Sequence, residues 1–309
     1  MDSSLTEVSI FEESLWGVVP SSPAPAFSAV RITGESLKLA YNTVESEEIR
    51  ADRNTSGTKQ VGGEANGGIT GELTYGTYDK LLESALFSAF DGVTDSVING
   101  VTPKSFTIQK KQSDGVSSIY TLFNGMIVNT VNMSLAAQDR INIDFGFVGK
   151  GGSMPAAVTG TVTDPTTSDM MEASSGFTLE SFLASPVPDV MDFALNIDNG
   201  LVGRPKAGSK DLVRIGANQC RVTGSASVYF KNKTIAEMFI NDTKGEIQFL
   251  VGETGKGQYR ITCPNVTITD SDHFSTGNGE EVMLNITWKA DYDSAIEGTI
   301  EIEKIAPSP

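Results

Sequence analysis

The chain of 309 residues is long enough for about two domains of ordinary size, each able to bury its own core. It carries 39 acidic and 23 basic residues, a net charge of −16, and the basic residues form no clustered stripe. This composition argues against a protein that grips nucleic acid or an anionic membrane, because phosphates need a concentrated Lys/Arg surface to neutralise them.

The N-terminal residues lack the features of a targeting signal. Residues 1–16 carry Asp2, Glu7, Glu12 and Glu13 but no Lys or Arg, and no run of about 18 apolar residues occurs anywhere. We therefore expect neither a cleaved signal nor a membrane segment. Residues 1–30 are rich in Ser, Pro and Ala, and because proline interrupts strands and helices, we expect an arm rather than a domain.

Residues 34–68 combine a short strand with a long polar segment. Leu37 and Leu39 begin a strand after a Gly-Glu-Ser turn, whereas residues 41–68 show no sustained apolar period. Loops of more than about 15 residues are uncommon in compact proteins and tend to be functional. We expect this segment to make contacts outside its own domain; the alternative is a disordered surface excursion.

Residues 68–90 predict a strand that turns directly into a helix. Residues 69–75 alternate between apolar and polar side chains, the period of a half-solvated strand. From Asp79 onward the apolar residues recur with a helical period over about three turns: Leu81, Leu82, Ala85, Leu86, Ala89 and Phe90. Asp79 is placed to cap the first turn. A helix this short is marginal alone in water, so we expect it to pack on a sheet.

The same pattern returns 153 residues later. Residues 69–71 match residues 222–224, and Asp79 aligns with Asn232, so the predicted capping chemistry is kept. Downstream, residues 105–111 correspond to 246–252, Tyr120 to Tyr259, and residues 141–147 to 282–288. The order and nearly constant spacing of these matches predict two copies of one strand–helix–strand unit.

The remaining segments complete the predicted organisation. Residues 149–176 are poor in periodic apolar residues and separate the copies, whereas residues 191–197 and 298–305 read as further strands of the second copy. We predict a mainly β fold of two tandem β-sandwich or barrel domains, each with a short flanking helix, arising from an internal duplication. The expected boundaries are an arm at 1–30, domains at 31–150 and 177–309, and a linker at 151–176.

The side chains that usually carry catalysis or hold metals are scarce. The sole histidine, His273, lies in a Gly- and Asp-rich loop with no supporting nucleophile in the sequence pattern. Residues 252–257 (GETGKG) lack the spacing of a phosphate-binding loop and read as a hairpin turn. Cys220 and Cys263 are 43 positions apart; a disulfide is conceivable, but free buried thiols are the expected state. We predict no catalytic residues, no cofactor and no metal site.

Several stretches resemble a known family when they are taken together in order. Residues 34–53 (GESLKLAYNTVESEEIRADR) followed by residues 67–86, and later residues 222–239 and 258–268, resemble the tail tube (major tail) proteins of bacteriophages with long non-contractile tails. The resemblance covers most of the chain from about residue 34 to residue 288. It implies a β-sandwich tube fold with a flanking helix, and rings that stack into a hollow tube through which the genome leaves the capsid.

The resemblance also implies where the protein acts and what it meets. It implies a structural component of the virion tail, assembled in the bacterial cytoplasm, that contacts copies of itself and other tail proteins such as the tape measure and the terminator. Double-stranded DNA would pass through without specific binding, and no membrane would be involved. We expect acidic and small polar groups to line the lumen, where they would repel DNA phosphates.

Two expectations concern assembly. Related tubes resemble six-fold rings of single-domain subunits, so a chain with two copies predicts trimeric, pseudo-hexameric rings; the alternative is a hexamer in which one unit decorates the outside. The arm at 1–30 and the loop at 41–68 are the expected bridges between rings. The candidate inter-ring residues are Glu45, Glu47, Glu48, Arg50 and Arg53.

Two rival classes have less support. A monomeric carbohydrate-binding or adhesin-like β-sandwich would cluster aromatic residues on exposed loops, yet the two tryptophans, Trp16 and Trp288, lie far apart in sequence. An enzyme would need a convergent set of polar side chains, and the usual residues are in short supply. A structural tube protein is therefore the favoured interpretation.

Overall fold

The structure is a computed structural model that describes residues 3–21, 23–157, 160–183, 187–231, 233–274 and 281–307. We call residues 6–153 the first unit and residues 177–305 the second unit. The first unit begins after a 3-10 turn at Ser3–Leu5 and contains these elements: β1 (Thr6–Glu12), β2 (Ala26–Val30), β3 (Gly34–Glu35), β4 (Lys38–Glu45), β5 (Thr58–Glu72), α1 (Asp79–Leu86), β6 (Ser96–Ile98), β7 (Phe106–Ser113), β8 (Ser118–Ala136), β9 (Asn142–Gly149) and β10 (Gly151–Ser153).

A short strand, β11 (Thr161–Thr163), lies between the units. The second unit contains these elements: β12 (Phe177–Phe182), β13 (Val190–Asp198), β14 (Val202–Arg204), β15 (Arg214–Gly216), β16 (Arg221–Tyr229), α2 (Thr234–Ile240), β17 (Gly245–Val251), β18 (Gln258–Phe274), β19 (Met283–Ala290) and β20 (Glu301–Ile305). Across the described ranges, no helix is long and apolar enough to cross a bilayer.

The two units share one antiparallel sheet, which we call the central sheet. Its order is β3/β4–β5–β9–β8–β13–β16–β19–β18, with β3 and β4 end to end along β5. The long strands β8 and β18 bend, so that their N-terminal halves leave this sheet and pair with β7 and β17 in an outer layer. The predicted mainly β, sandwich-like fold with short helices is confirmed, and among the described strands the sheets do not close into a barrel.

The strand pairings of the two units follow the same order. In the first unit β5 pairs with β9, β9 with β8, β8 with β7 and β7 with β1. In the second unit β16 pairs with β19, β19 with β18, β18 with β17 and β17 with β12. Both long strands also carry a register shift, after Val128 and after Ile268. The order of elements agrees with the predicted repeat, while the duplication itself stays a prediction.

The core lies between the central sheet and the outer layer. Alternate side chains of the central strands are buried, among them Phe145 in β9, Leu195 in β13 and Trp288 in β19. This alternation follows from the two-residue period of a strand, which sends successive side chains to opposite faces. The apolar face of the central sheet is thereby covered, and its polar face is left toward solvent.

Helix α1 packs on the sheet as expected, but it is shorter than the apolar stripe suggested. Four apolar residues of the predicted stripe lie in α1 and are buried: Leu81, Leu82, Ala85 and Leu86. The other two, Ala89 and Phe90, lie beyond the end of the helix. Phe87 adopts a left-handed conformation (φ 51°), and the N–H of Ser88 turns back to the Glu83 carbonyl. A left-handed residue at this position ends the helical hydrogen-bond pattern.

The predicted cap by Asp79 is wrong for α1. Tyr78 occupies the position before the helix and no side chain caps the first turn, because the Asp79 carboxylate is engaged by the second unit instead. The corresponding residue in the second unit, Asn232, lies outside the described residues.

The N-terminal segment forms part of the outer layer rather than a free arm. Strand β1 pairs with both β2 and β7, and Val8, Ile10 and Phe27 are buried. The prolines that suggested an arm, Pro20, Pro23 and Pro25, all lie in the connection between β1 and β2, where they cost no ladder hydrogen bond. The boundaries of the two domains stay predictions.

The segment expected to be a linker lies across the first unit. β10 pairs with β8, and β11 runs parallel to β2. Further along, Met171 is buried, and its backbone is hydrogen-bonded to Leu73 and Ile141. Backbone pairing of this kind carries no apolar period, which is why the sequence pattern does not reveal it.

Candidate subunit interface

The two units meet along strands β8 and β13. Their register runs from Asp192 opposite Ala136 to Asp198 opposite Thr130, so the joint is a continuous antiparallel ladder. Just beyond β13, the buried amide of Asn199 donates hydrogen bonds to the carbonyls of Ala85 (2.8 Å) and Val128 (3.1 Å). The second unit therefore supplies a donor to backbone carbonyls at the end of α1 and in β8.

A second contact between the units surrounds Asp79. The Tyr259 hydroxyl donates to one Asp79 carboxylate oxygen (2.5 Å) and accepts the N–H of Gly76 (2.8 Å). The Lys304 ammonium donates to the other Asp79 oxygen (3.1 Å) and lies 4.6 Å from the centre of the Phe90 ring. Strands β18 and β20 of the second unit thus hold the turn that leads into α1.

Burial perturbs the titration of this cluster. Burial, reinforced by the Asp79 carboxylate, raises the pKa of Tyr259 well above its usual value. Burial alone would lower the pKa of Lys304, but Asp79 and neighbouring groups outweigh that effect and raise it. Nearby in the first unit, burial raises the pKa of Tyr78 to about 12. In each case the folded protein holds the proton more tightly than a solvated side chain does.

We expect these tightly held protons to make the fold sensitive to alkali. The free energy of unfolding should be fully retained below about pH 10 and should fall as the pH rises further, because the unfolded chain then loses protons that the folded chain keeps. The substitution Tyr259→Phe should flatten this slope. Urea unfolding at a series of alkaline pH values measures it, with Tyr292→Phe as the exposed control (Tyr292 is 63% exposed). An unchanged slope in Tyr259→Phe would contradict the prediction.

The central sheet has two open edges. Within the described ranges, β3 pairs only with β5, and the C-terminal half of β18 pairs only with β19. An open strand edge presents unpaired N–H and C=O groups that readily bind another chain. These edges are therefore the candidate surfaces for association between copies.

The solvent-facing side of the central sheet, which we call the polar face, is built from short polar side chains. In one row across the sheet, Asp144, Asn132, Asn196 and Thr223 lie opposite one another on consecutive strands, so the face continues across the joint. The described residues of this face include Lys38, Glu64, Asn66, Gly68, Thr70, Glu72, Thr130, Asn132, Ser134, Asn142, Asp144, Gly146, Asp192, Ala194, Asn196, Asp198, Arg221, Thr223, Ser225, Ser227, Thr267, Asp270, Asp272, Asn285, Thr287 and Lys289. Among these are seven carboxylates but only three basic side chains, Lys38, Arg221 and Lys289.

The segment expected to be a long loop is a projecting β-hairpin. β4 and β5 pair from Lys38 opposite Asn66 to Glu45 opposite Thr58, and residues 46–57 connect them. Every residue from 41 to 61 is exposed, so the hairpin parts of β4 and β5 have no apolar face that would produce a detectable period.

The five candidate contact residues are brought together at the end of this hairpin. Glu45 is the last residue of β4, and the other four, Glu47, Glu48, Arg50 and Arg53, lie in the connecting loop. Two local interactions shape the loop: the Arg50 guanidinium binds Asp52 with two hydrogen bonds (2.8 and 3.0 Å), and Ser56 donates to Glu48 (2.6 Å).

The charges at the hairpin end surround an apolar residue that sequence reasoning missed. Ile49 is 99% exposed. The signal available in the sequence was a single aliphatic side chain within a polar run.

The residues considered for other chemistry do not form a site in the described part of the chain. No group of three or more His, Cys, Asp or Glu side chains there is arranged to hold a metal ion. Residues 252–257 form the turn between β17 and β18, as predicted. Cys220 and Cys263 are free thiols, and burial raises the pKa of Cys220 to about 11. The side chain of His273 lies outside the described residues.

Comparison with known proteins agrees with this architecture. A family profile described as phage tail tube protein matches residues 3–290, which is nearly the whole chain. No individual curated protein gives a significant match. The resemblance seen in the ordered sequence stretches is thus confirmed at the level of the family. The chain belongs to the phage tail tube protein family, whose members are structural components of the virion.

Proposed function

We propose that three copies of the chain form a ring, that rings stack into the tube of a long non-contractile tail, and that the genome passes through this tube into the host. The observation that carries the proposal is the central sheet, in which both units contribute four strands to one surface with two open edges. The ring, its stoichiometry and its conduction of DNA follow from how those edges would meet.

The joint inside the chain supplies a pattern for the contact between chains. Across the joint, Asn132 of β8 faces Asn196 of β13. In the second unit, Asn196 of β13 is paired with Thr223 of β16. In the first unit, the residue that aligns with Thr223 in the repeat is Thr70 of β5, and it is paired with Gly34 of β3. The open edge at β3 is therefore the first-unit counterpart of β13.

The other open edge is the counterpart of β8. In the first unit, Asn132 of β8 is paired with Asp144 of β9. The repeat aligns Asp144 with Asn285 of β19, which is paired with Asp272 of β18. Asp272 is therefore the counterpart of Asn132. If copies associate as the units do, Asp272 of one copy faces Gly34 of the next. Each copy then pairs its β3 edge with the β18 edge of one neighbour and its β18 edge with the β3 edge of the other. Repeating this head-to-tail contact closes a ring.

The strand count favours three copies per ring. Three copies of an eight-stranded sheet give 24 strands, and a strand spacing of about 4.8 Å makes the circumference about 115 Å before strand tilt widens it. Porin barrels with fewer strands already enclose a water-filled channel. A hexamer with one decorating unit has less support, because the polar face continues without interruption from one unit into the other.

The polar face is the natural lining of such a tube. The opposite face of the central sheet is covered by the outer layer, so only the polar face is available to the lumen. Seven carboxylates would repel phosphates, and the short hydroxyl and amide side chains around them would leave moving DNA few basic sites on which to bind. The tape measure and terminator proteins would meet this lumen and the ends of the tube.

The β4–β5 hairpin is the proposed bridge between rings. It extends beyond the central sheet and ends in the candidates Glu45, Glu47, Glu48, Arg50 and Arg53. Charged groups of both signs on one projecting end suit a repeated contact between identical rings, because each sign finds its opposite on the neighbouring copy.

Electron microscopy of the purified protein tests the proposal. End views and the mass per ring should give hollow rings of three copies, and a reconstruction should place the polar face inward. Rings of six copies would overturn the trimer, and an inward-facing surface that is predominantly basic would overturn the proposed lining. A monomer under all conditions would overturn assembly and favour the monomeric binding module.

A further inference from the structure

The two short helices differ in how much of their apolar surface is covered. In α1 every residue from Leu81 to Leu86 is buried. In α2 only Ile235 and Met238 are buried, whereas Phe239 is 39% exposed and Ile240 is 78% exposed. The repeat aligns Leu86 with Phe239, so equivalent positions are covered in one unit and open in the other.

Two elements cover the end of α1. The first is its own unit: residues 87–105 fold back, so that Gly100 donates to the Leu86 carbonyl and Ser84 donates to the Lys104 carbonyl. The second is the other unit, whose Leu201 lines one cavity together with Leu86 and Phe87.

The end of α2 is less covered among the described residues. The connection from α2 to β17 is only residues 241–244, in place of the long fold-back after α1, and no other described segment buries Ile240. Phe239 and Ile240 are therefore open on the side where a neighbouring unit would lie.

We propose that Phe239 and Ile240 form a lateral docking surface for the base of the β4–β5 hairpin of a second copy. This inference rests on the proposed ring. In the chain, β13 continues through Asn199 to Leu201, which lies beside the end of α1. The matching continuation of β3 in the first unit leads to Leu39, so ring closure brings Leu39 of one copy beside Ile240 of the next.

The chemistry of the two surfaces is complementary. Leu39 is half-buried, and Tyr41, two residues along the same face of β4, is 47% exposed. Leu39 packs partly against the core, whereas Tyr41 stays exposed. An apolar pair on an edge strand therefore faces an apolar helix end. Contiguous exposed apolar groups of this kind typically mark contacts between chains.

The substitution Ile240→Asp tests the surface. Because Ile240 is largely exposed, the variant should fold with an unchanged melting temperature, and the protein concentration needed for ring formation should rise at least about tenfold. Val93→Asp is the matched control, since Val93 is 93% exposed on the connection after α1 and should assemble normally. Analytical ultracentrifugation and electron microscopy measure ring formation.

A cysteine pair tests the location of the contact. The double variant Leu39→Cys with Ile240→Cys should give covalent trimers on mild oxidation, whereas each single variant reports the background from Cys220 and Cys263. Normal rings in Ile240→Asp, or rings of the double variant that do not cross-link, would overturn the surface and leave the ring intact. Failure of the unmodified protein to form rings would overturn the ring and this surface together.

Discussion

Replacing residues 46–57 with the dipeptide Asn-Gly is expected to leave rings intact and abolish their stacking into tubes. β4 and β5 remain paired up to Glu45 and Thr58, and a two-residue Asn-Gly turn fits such an antiparallel end. The deletion removes Glu47, Glu48, Arg50, Arg53 and the exposed Ile49, none of which supports the core. Tube length in electron micrographs, together with the sedimentation of single rings, measures the effect.

Two further variants separate charge from shape at the hairpin end. In the first variant, Glu47, Glu48, Arg50 and Arg53 are all replaced by Gln, which keeps the loop length. Stacking of rings should become weaker, and the extent of stacking should depend less on salt concentration than it does in the unmodified protein. Ile49→Ser removes only the apolar contact. If the deletion variant still forms tubes of normal length, the hairpin is not the bridge between rings and the contact must be sought elsewhere.

Asp79→Ala is expected to lower the free energy of unfolding by about 2–4 kcal/mol, a drop in melting temperature of roughly 4–8 °C. The substitution leaves the Tyr259 hydroxyl and the Lys304 ammonium without their shared acceptor, and both groups are largely shielded from water. Urea unfolding of the monomer measures the loss.

The controls for Asp79 distinguish a buried cluster from a surface ion pair. Asp189→Ala breaks the pair between Asp189 and Lys231, whose side chains are 64% and 62% exposed, and should cost at most about 0.5 kcal/mol. A double-mutant cycle of Asp79→Ala with Lys304→Met should give a coupling free energy of about 1 kcal/mol or more. Equal losses for Asp79→Ala and Asp189→Ala would show that the cluster adds nothing to the joint.

The sequence alone was sufficient for the local elements and the family. The two-residue period at residues 69–75 and the helical stripe from Leu81 to Leu86 are direct consequences of which side chains face the core, so they can be read without neighbours. The ordered stretches shared with tail tube proteins identified the family, and the long polar segment at 41–68 was singled out even though its hairpin form was not.

Only the tertiary structure decided which strands and side chains meet. An apolar period reports that one face of a strand is buried, but it carries no information about the strand that lies beside it. The pairing of β8 with β13, the amide of Asn199 beneath α1, and the reach of Tyr259 and Lys304 to Asp79 all join residues more than 55 positions apart. For the same reason Asp79 read as a helix cap and residues 1–30 as an arm: a polar side chain or a broken strand acquires its role from partners that arrive only when the chain has folded.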